Sequence, residues 1–184
     1  MSELATRRLE LRQWRAADLA PFAVLNADPV TMEFLLRCLT RVESDELAQR
    51  AATLIAERGW GLWAVERRDR REFVGYVGLS VPSFEAHFTP CVEIGWRLER
   101  SCWGQGYATE AARACLEFAF ATLALPQVVS FTVPANARSR AVMERLGMRH
   151  DAADDFDHPR VADGPLRRHV LYRLTRAAWL TGRA

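Results

Sequence analysis

The stretch SCWGQGYATEAARACLEFAF, residues 101–120, sets two glycines one residue apart at the head of a Gly- and Pro-free run with apolar residues at helical spacing. The segment CVEIGWRL before it reads as a strand. The order strand, glycine turn, helix confines the chain to folds in which a sheet hands its backbone to a helix N-terminus. The first N–H groups of such a helix have no intrahelical acceptor, and with the positive end of the helix dipole they suit a phosphate. Gly104 and Gly106 lack Cβ, so their backbone can approach a diphosphate closely. Glycines here also serve a bare strand-to-helix turn, and the turn alone does not choose between the two roles.

Two familiar phosphate motifs fit poorly. A Walker A loop needs Lys and then Ser or Thr after its second glycine, where this chain has Tyr107 and Ala108. A dinucleotide fingerprint needs a third glycine where Thr109 stands, and it usually opens the first βαβ unit of its chain.

The rest of the chain supplies the frame. At 184 residues it is long enough for one domain with a real core and short for two, so a single domain over 1–184 is expected. Its net charge of +2 gives no support to nucleic-acid binding, and the basic runs RRDRRE and LRRHVLYR read as a solvated turn and a strand edge. The four cysteines form no CxxC pair and no Cys/His cluster, so no metal site is expected and a reduced compartment is. The segment MSELATRRLELRQW is charged throughout, and no window approaches a membrane span, so a soluble cytoplasmic protein without membrane or nucleic-acid partners is expected.

Alternation in RRLELRQW predicts a strand; AADLAPFAVLNADP and SDELAQRAATLIAERG predict helices, the second with Ser44 as N-cap and Gly59 as stop. Two strands meet at a charged turn in GLWAVERRDRREFVGYVGLSV. After CVEIGWRL comes the glycine turn, with its helix running to about residue 124. The strand QVVSFTV, a helix capped by Asn136 and stopped by Gly147, and the strand LRRHVLYRLTR complete the order. Strands in series, then strand-helix-strand-helix and a returning strand, argue an α/β (α+β) fold: a mixed sheet with helices packed on it. The strand near HVLYRL could pair with a second copy, so monomer and homodimer both stay open.

The segments CVEIGWRLERSCWGQGYATEAARACLEFAF and SFTVPANARSRAVMERLGM, in that order, resemble the GCN5-related N-acetyltransferase superfamily, and within it the RimJ/RimL ribosomal-protein branch. The similarity runs from about Arg8 to Arg176. It implies the acyl-CoA N-acyltransferase fold, with a mostly antiparallel sheet splayed at the cofactor site and helices on both faces. It implies acetyl-CoA as co-substrate and a primary amine, on a protein N-terminus or a small molecule, as acceptor. Trp96, Arg97 and Leu98 would then offer backbone groups to the pantetheine arm in the manner of an added strand. The backbone of Gly104, Gln105, Gly106, Tyr107, Ala108 and Thr109 would wrap the pyrophosphate, while Asn136 and Ser139 would lie near the thioester. Asn136 also serves as a local helix cap.

Two departures bear on chemistry. Ser101 stands where relatives often carry Gln or Arg, and Met143 stands where many carry a Tyr that protonates the departing thiolate. Methionine donates no proton, so Ser139 or water is the remaining candidate acid. Attack by a neutral amine needs a base, for which Glu93 is the first candidate, with a cross-strand ion pair as its other reading. The loop DDFDHP supplies Asp155, Asp157 and His158, and the segment PSFEAHFTP supplies Phe84, His87 and Phe88; both sets are candidates for an acceptor site suited to an amine on an apolar body. The alternative class is a catalytically weak acyl-CoA-binding or regulatory module on the same fold, and Met143 keeps it open.

Overall fold

A computed structural model describes residues 3–182. In chain order its strands and helices are β1 (Leu4–Ala5), β2 (Leu9–Arg12), α1 (Leu19–Ala27), α2 (Arg41–Arg58), β3 (Leu62–Arg67), β4 (Glu72–Ser80) and β5 (Glu93–Leu98). There follow α3 (Tyr107–Glu117), β6 (Gln127–Thr132), α4 (Ala137–Arg145), β7 (Arg149–His150), β8 (Phe156–Asp157), β9 (Arg168–Thr175) and α5 (Arg176–Thr181). Two compact units share these elements: residues up to Leu79 with Gly95–Cys115, and Ser80–Ile94 with the residues from Leu116 onward. Strand β5 belongs to both, Glu93 and Ile94 to the second and Gly95 to Leu98 to the first.

In the first unit β1, β2, β3 and β4 pair antiparallel in sequence order. Two glycines let its backbones close up. A Cβ on Gly78 would sit 2.0 Å from the Gly61 carbonyl oxygen, and one on Gly75, at φ +129°, would sit 2.1 Å from the Arg97 oxygen. Where β5 ends, the Glu99 N–H donates to the Val74 oxygen at 2.9 Å. Phe22 and Leu25 of α1 and Ala48 of α2 form one core cluster there, packed against Trp14, Phe73 and Tyr76. Helix α2 begins earlier than expected. Thr40 is its N-cap and forms a capping box with Glu43, while Ser44 is buried and accepts from the Asn26 amide at 2.8 Å. Both candidates satisfy the N-cap preference, but only Thr40 has a Glu three residues on to complete the box, an arrangement worth about 1 kcal/mol. Gly59 ends the helix at φ +80°, as expected.

The charged turn after β3 is consumed locally: Arg67 pairs with Asp69, and Arg71 with Glu66 and Glu10. Beneath it Arg12, Asp18 and Glu66 are all buried, with Arg12 bonded to Asp18 at 2.7 and 2.9 Å and to Glu66 at 2.9 Å. Each buried charge thus meets its opposite, which is the condition for tolerating them there.

In the second unit the start of β5 runs parallel to β6, with Glu93 opposite Val129 and the Val129 N–H donating to the Val92 oxygen at 3.0 Å. Strand β6 pairs antiparallel with β9 from Gln127↔Thr175 to Thr132↔Val170, and β7 and β8 both pair antiparallel with β9. The sheet is therefore mixed and mostly antiparallel, as expected. The short strands β7 and β8 and the terminal helix α5 were not legible in advance, since two-residue strands carry no period to detect. The helix after the glycine turn leaves α geometry at Glu117 and continues as a π turn over Phe118–Thr122. Phe88, Val129, Phe156 and Leu171 form one core cluster of the second unit.

Candidate active site

The glycine turn takes the conformation its residues predict. Gly104 and Gly106 have φ of +72° and +79°, in the left-handed region that other residues resist. A Cβ on Gly104 would meet nothing within 4 Å, so the backbone conformation, not crowding, demands glycine there. The turn is braced at both ends: the Gln105 side-chain amide donates to the Ser101 oxygen at 2.8 Å, and the Trp103 indole N–H donates to the Leu98 oxygen at 2.8 Å. Both glycines and Gln105 are exposed, and α3 starts at Tyr107, so the open turn lies against the first N–H groups of a helix. That combination fits a diphosphate.

The side chains around the turn have structural duties. Tyr107 is buried beneath the Arg8 guanidinium, whose carbon lies 4.5 Å from the ring centre. Glu110, in the first turn of α3, accepts from the Arg8 N–H at 2.9 Å, from Arg8 Nε at 2.6 Å and from the Thr6 hydroxyl at 2.6 Å. Burial works against its charge, but the bonds from Thr6 and Arg8 prevail and hold its carboxyl below the ordinary range. Arg97 uses its side chain to donate to the Asn26 oxygen at 2.6 Å and to lie over Tyr76, so on β5 it can contribute to a ligand through its backbone. Leu98 is buried, and its oxygen already accepts from Trp103.

In the second unit, Glu93 is half-buried at the start of β5, and the Ser80 hydroxyl donates to it at 3.4 Å. Burial drives its pKa up to about 7, only partly offset by Ser80. A carboxylate that titrates there can take up a proton near neutral pH, as a general base must. Opposite Glu93 on β6 stands Val129, so no cross-strand ion pair forms on that side. Asn136 caps α4, accepting from the Ser139 N–H at 3.2 Å and donating to the Thr132 hydroxyl at 3.0 Å. Met143 is buried in the same helix.

Phe84, Phe88 and His158 come together, but as a packed cluster with Phe131 and Phe156. Phe84 lies 4.5 Å from His158, 5.8 Å from Phe131 and 6.1 Å from Phe156, and Phe88 lies 4.8 Å from Phe156. His158 and His169 lie 5.2 Å apart, and burial lowers the pKa of each. His87 reaches Asp154 at 3.5 Å. Asp155 and Asp157 do not join the cluster. They flank Phe156, whose ring is buried, and pair instead with His150 at 2.7 Å and Arg168 at 3.3 Å.

Sequence reasoning left out Ser80, Arg173, Phe131 and His169, and took Asp154 only as the first residue of the loop DDFDHP. Asp154 holds Arg173 through two bonds of 2.6 and 2.9 Å, and only sheet register brings them together. The inward position of Phe131 and His169 in their alternating strands was the one available signal. Three of the thiols are poor nucleophiles: burial raises the pKa of Cys91 to about 11 and also raises those of Cys102 and Cys115. Among the described residues no group of metal-binding side chains gathers, and no helix is long and apolar enough to cross a membrane.

Comparison with known proteins points one way. The family model described as an acetyltransferase (GNAT) domain matches residues 8–149. An uncharacterized protein of Bacillus subtilis, YkkB, is 32% identical over 155 residues, 81% of this chain and 86% of that protein. The FsC-acetyl coenzyme A-N(2)-transacetylase of Aspergillus fumigatus is 36% identical over 130 residues, 66% of this chain but 53% of that protein. The [ribosomal protein uS5]-alanine N-acetyltransferase of Escherichia coli is 28% identical over 116 residues, 62% of this chain and 57% of that protein. The crystal structure of an acetyltransferase from Agrobacterium tumefaciens superposes with a TM-score of 0.75 at 28% identity, over 95% of this chain and 94% of that one.

Proposed function

The chain belongs to the acetyltransferase (GNAT) family, and from that premise we propose that it transfers an acetyl group from acetyl-CoA to a primary amine by direct attack. The carrying observation is Glu93. A carboxyl with a pKa of about 7 sits at one end of β5, and the same strand leads to the glycine turn at its other end. Acetyl-CoA supplies the activated acetyl group and leaves as the free thiol.

The open glycine turn and the first N–H groups of α3 fit the diphosphate, and the backbone of Trp96 and Arg97 offers hydrogen-bonding groups to the pantetheine arm. Leu98 contributes less, its oxygen being committed to Trp103. Glu93, ionised, accepts the proton that an ammonium acceptor must lose, directly or through water. Ser139, next to the helix cap of Asn136, or a water molecule returns a proton to the departing sulfur, since Met143 cannot. Direct attack needs no covalent cysteine, in keeping with the raised thiol pKa values of Cys91, Cys102 and Cys115. The edge of the Phe84, Phe88 and His158 cluster favours an amine on an apolar body, such as a peptide N-terminus or a small aromatic amine. The four cysteines, all free, accord with a cytoplasmic setting.

The test is release of CoA thiol, followed with a chromogenic disulfide across a panel of peptides and small amines. Turnover with an amine, confirmed as one added acetyl group by mass spectrometry, is the expected result. Absence of turnover with every acceptor, despite protection by CoA against heat, would favour an acyl-CoA-binding module, as the buried Met143 allows.

A further inference from the structure

No basic side chain lies between Ser101 and Ala112, so the turn holds a phosphate site without a cation of its own. One arrives from far away in the sequence. Arg8 Nη2 lies 3.5 Å from the point where a Cβ on Gly106 would stand. Three contacts fix the residue there: Nε bonds to Glu110 at 2.6 Å, the backbone N–H bonds to the same carboxylate at 2.9 Å, and the guanidinium carbon lies over the Tyr107 ring at 4.5 Å from its centre. These contacts use its Nε side and its face. Its side chain remains 35% exposed beside the exposed Gly106. Arg67 also lies over Tyr107, at 5.6 Å, but its guanidinium is engaged by Asp69.

We propose that Arg8 is the cation that anchors the cofactor's diphosphate at the glycine turn, and that Glu110 and Tyr107 hold it in position. This rests on the acetyl-CoA reading above. A salt bridge that merely tied the N-terminal strand to α3 would need only the Nε–carboxylate contact. Stacking on Tyr107 aligns the other edge with Gly106, and an arginine oriented in advance loses little freedom when it meets a phosphate. Its position supplies the charge that Ser101 does not.

The test is calorimetric titration of the full chain with CoA, dephospho-CoA and pantetheine, with thermal melts run alongside. In Arg8→Gln, the Kd values for CoA and dephospho-CoA should both rise about tenfold, because both ligands carry the diphosphate. Pantetheine, which has none, should bind as it does to the wild type. Arg8→Lys, which keeps the charge, should recover part of the loss and covers the case in which the glutamine variant does not fold. Unchanged CoA affinity in folded Arg8→Gln would overturn the proposal while leaving the acetyltransferase reading in place. An equal loss for pantetheine would also overturn it, reducing Arg8 to a structural tie, and a loss confined to CoA would move the contact to the 3′-phosphate. Failure of the wild type to bind CoA would defeat the functional reading itself.

Discussion

The glycine turn and the Glu93 face solve different problems by different means. The first is made of backbone: two left-handed glycines, a helix start, and bonds that return to Ser101 and Leu98 within five residues. The second is made of side chains drawn from distant strands and loops, among them Ser80, Glu93, Phe131, Phe156 and His169. A diphosphate looks alike in every acetyl-CoA, so under the proposed function a fixed backbone frame with Arg8 beside it serves as its site. Amine acceptors differ from one another, and side chains can vary without rebuilding the sheet.

This contrast can be broken at its strongest point first. Gly75→Ala puts a Cβ 2.1 Å from the Arg97 oxygen in a positive-φ position, where neither backbone can yield cheaply. It should cost about 3 kcal/mol in urea unfolding and lower CoA binding with it. A near-neutral result would show that the first unit's backbone does not set the approach of β4 to β5.

Glu93→Gln should lower kcat/KM about 100-fold while CoA affinity holds. In the wild type kcat/KM should rise with pH through about 7 as Glu93 ionises, and the variant should lack that step. Stability should move the other way. The folded pKa of about 7 lies above the ordinary 4.5, so the stability linked to the protonated form is complete below about pH 4.5 and lost as pH rises through 7. The glutamine variant should therefore melt higher than the wild type at pH 8 and close to it at pH 4. A variant less stable at pH 8 would mean that the ionised carboxylate is stabilised, not strained, in its site.

The smallest expected effect belongs to Ser101→Ala. The Ser101 hydroxyl has a weak contact with the Cys102 sulfur at 3.8 Å, and it is the Ser101 backbone oxygen that accepts from Gln105. Stability and CoA affinity should both stay within about 0.5 kcal/mol. A larger loss of affinity would return a phosphate contact to this side chain.

The elements were legible where a local rule governs them. Gly59 and Gly147 end their helices with positive φ, and Asn136 caps α4, because each is settled by backbone hydrogen bonding within a few residues. Thr40, not Ser44, caps α2, because Thr40 has Glu43 three residues on to complete the box where Ser44 has Leu47. Asp155 and Asp157 drew attention as a cluster in sequence, yet strand alternation turns Phe156 inward and leaves its acidic neighbours to pair outside. In that loop the buried side chain is Phe156, and the two aspartates that the sequence singles out lie on either side of it.

By itself, then, the sequence determined the strand–turn–helix cradle, the sheet that delivers it and the family to which both belong. These follow from period, caps and glycine, which act over a few residues. Tertiary structure alone decided that Glu93 titrates near neutrality, that Arg8 lies beside Gly106 and that Asp154 holds Arg173. Each of these depends on desolvation or on contact between segments far apart in the chain, and neither leaves a mark in local order.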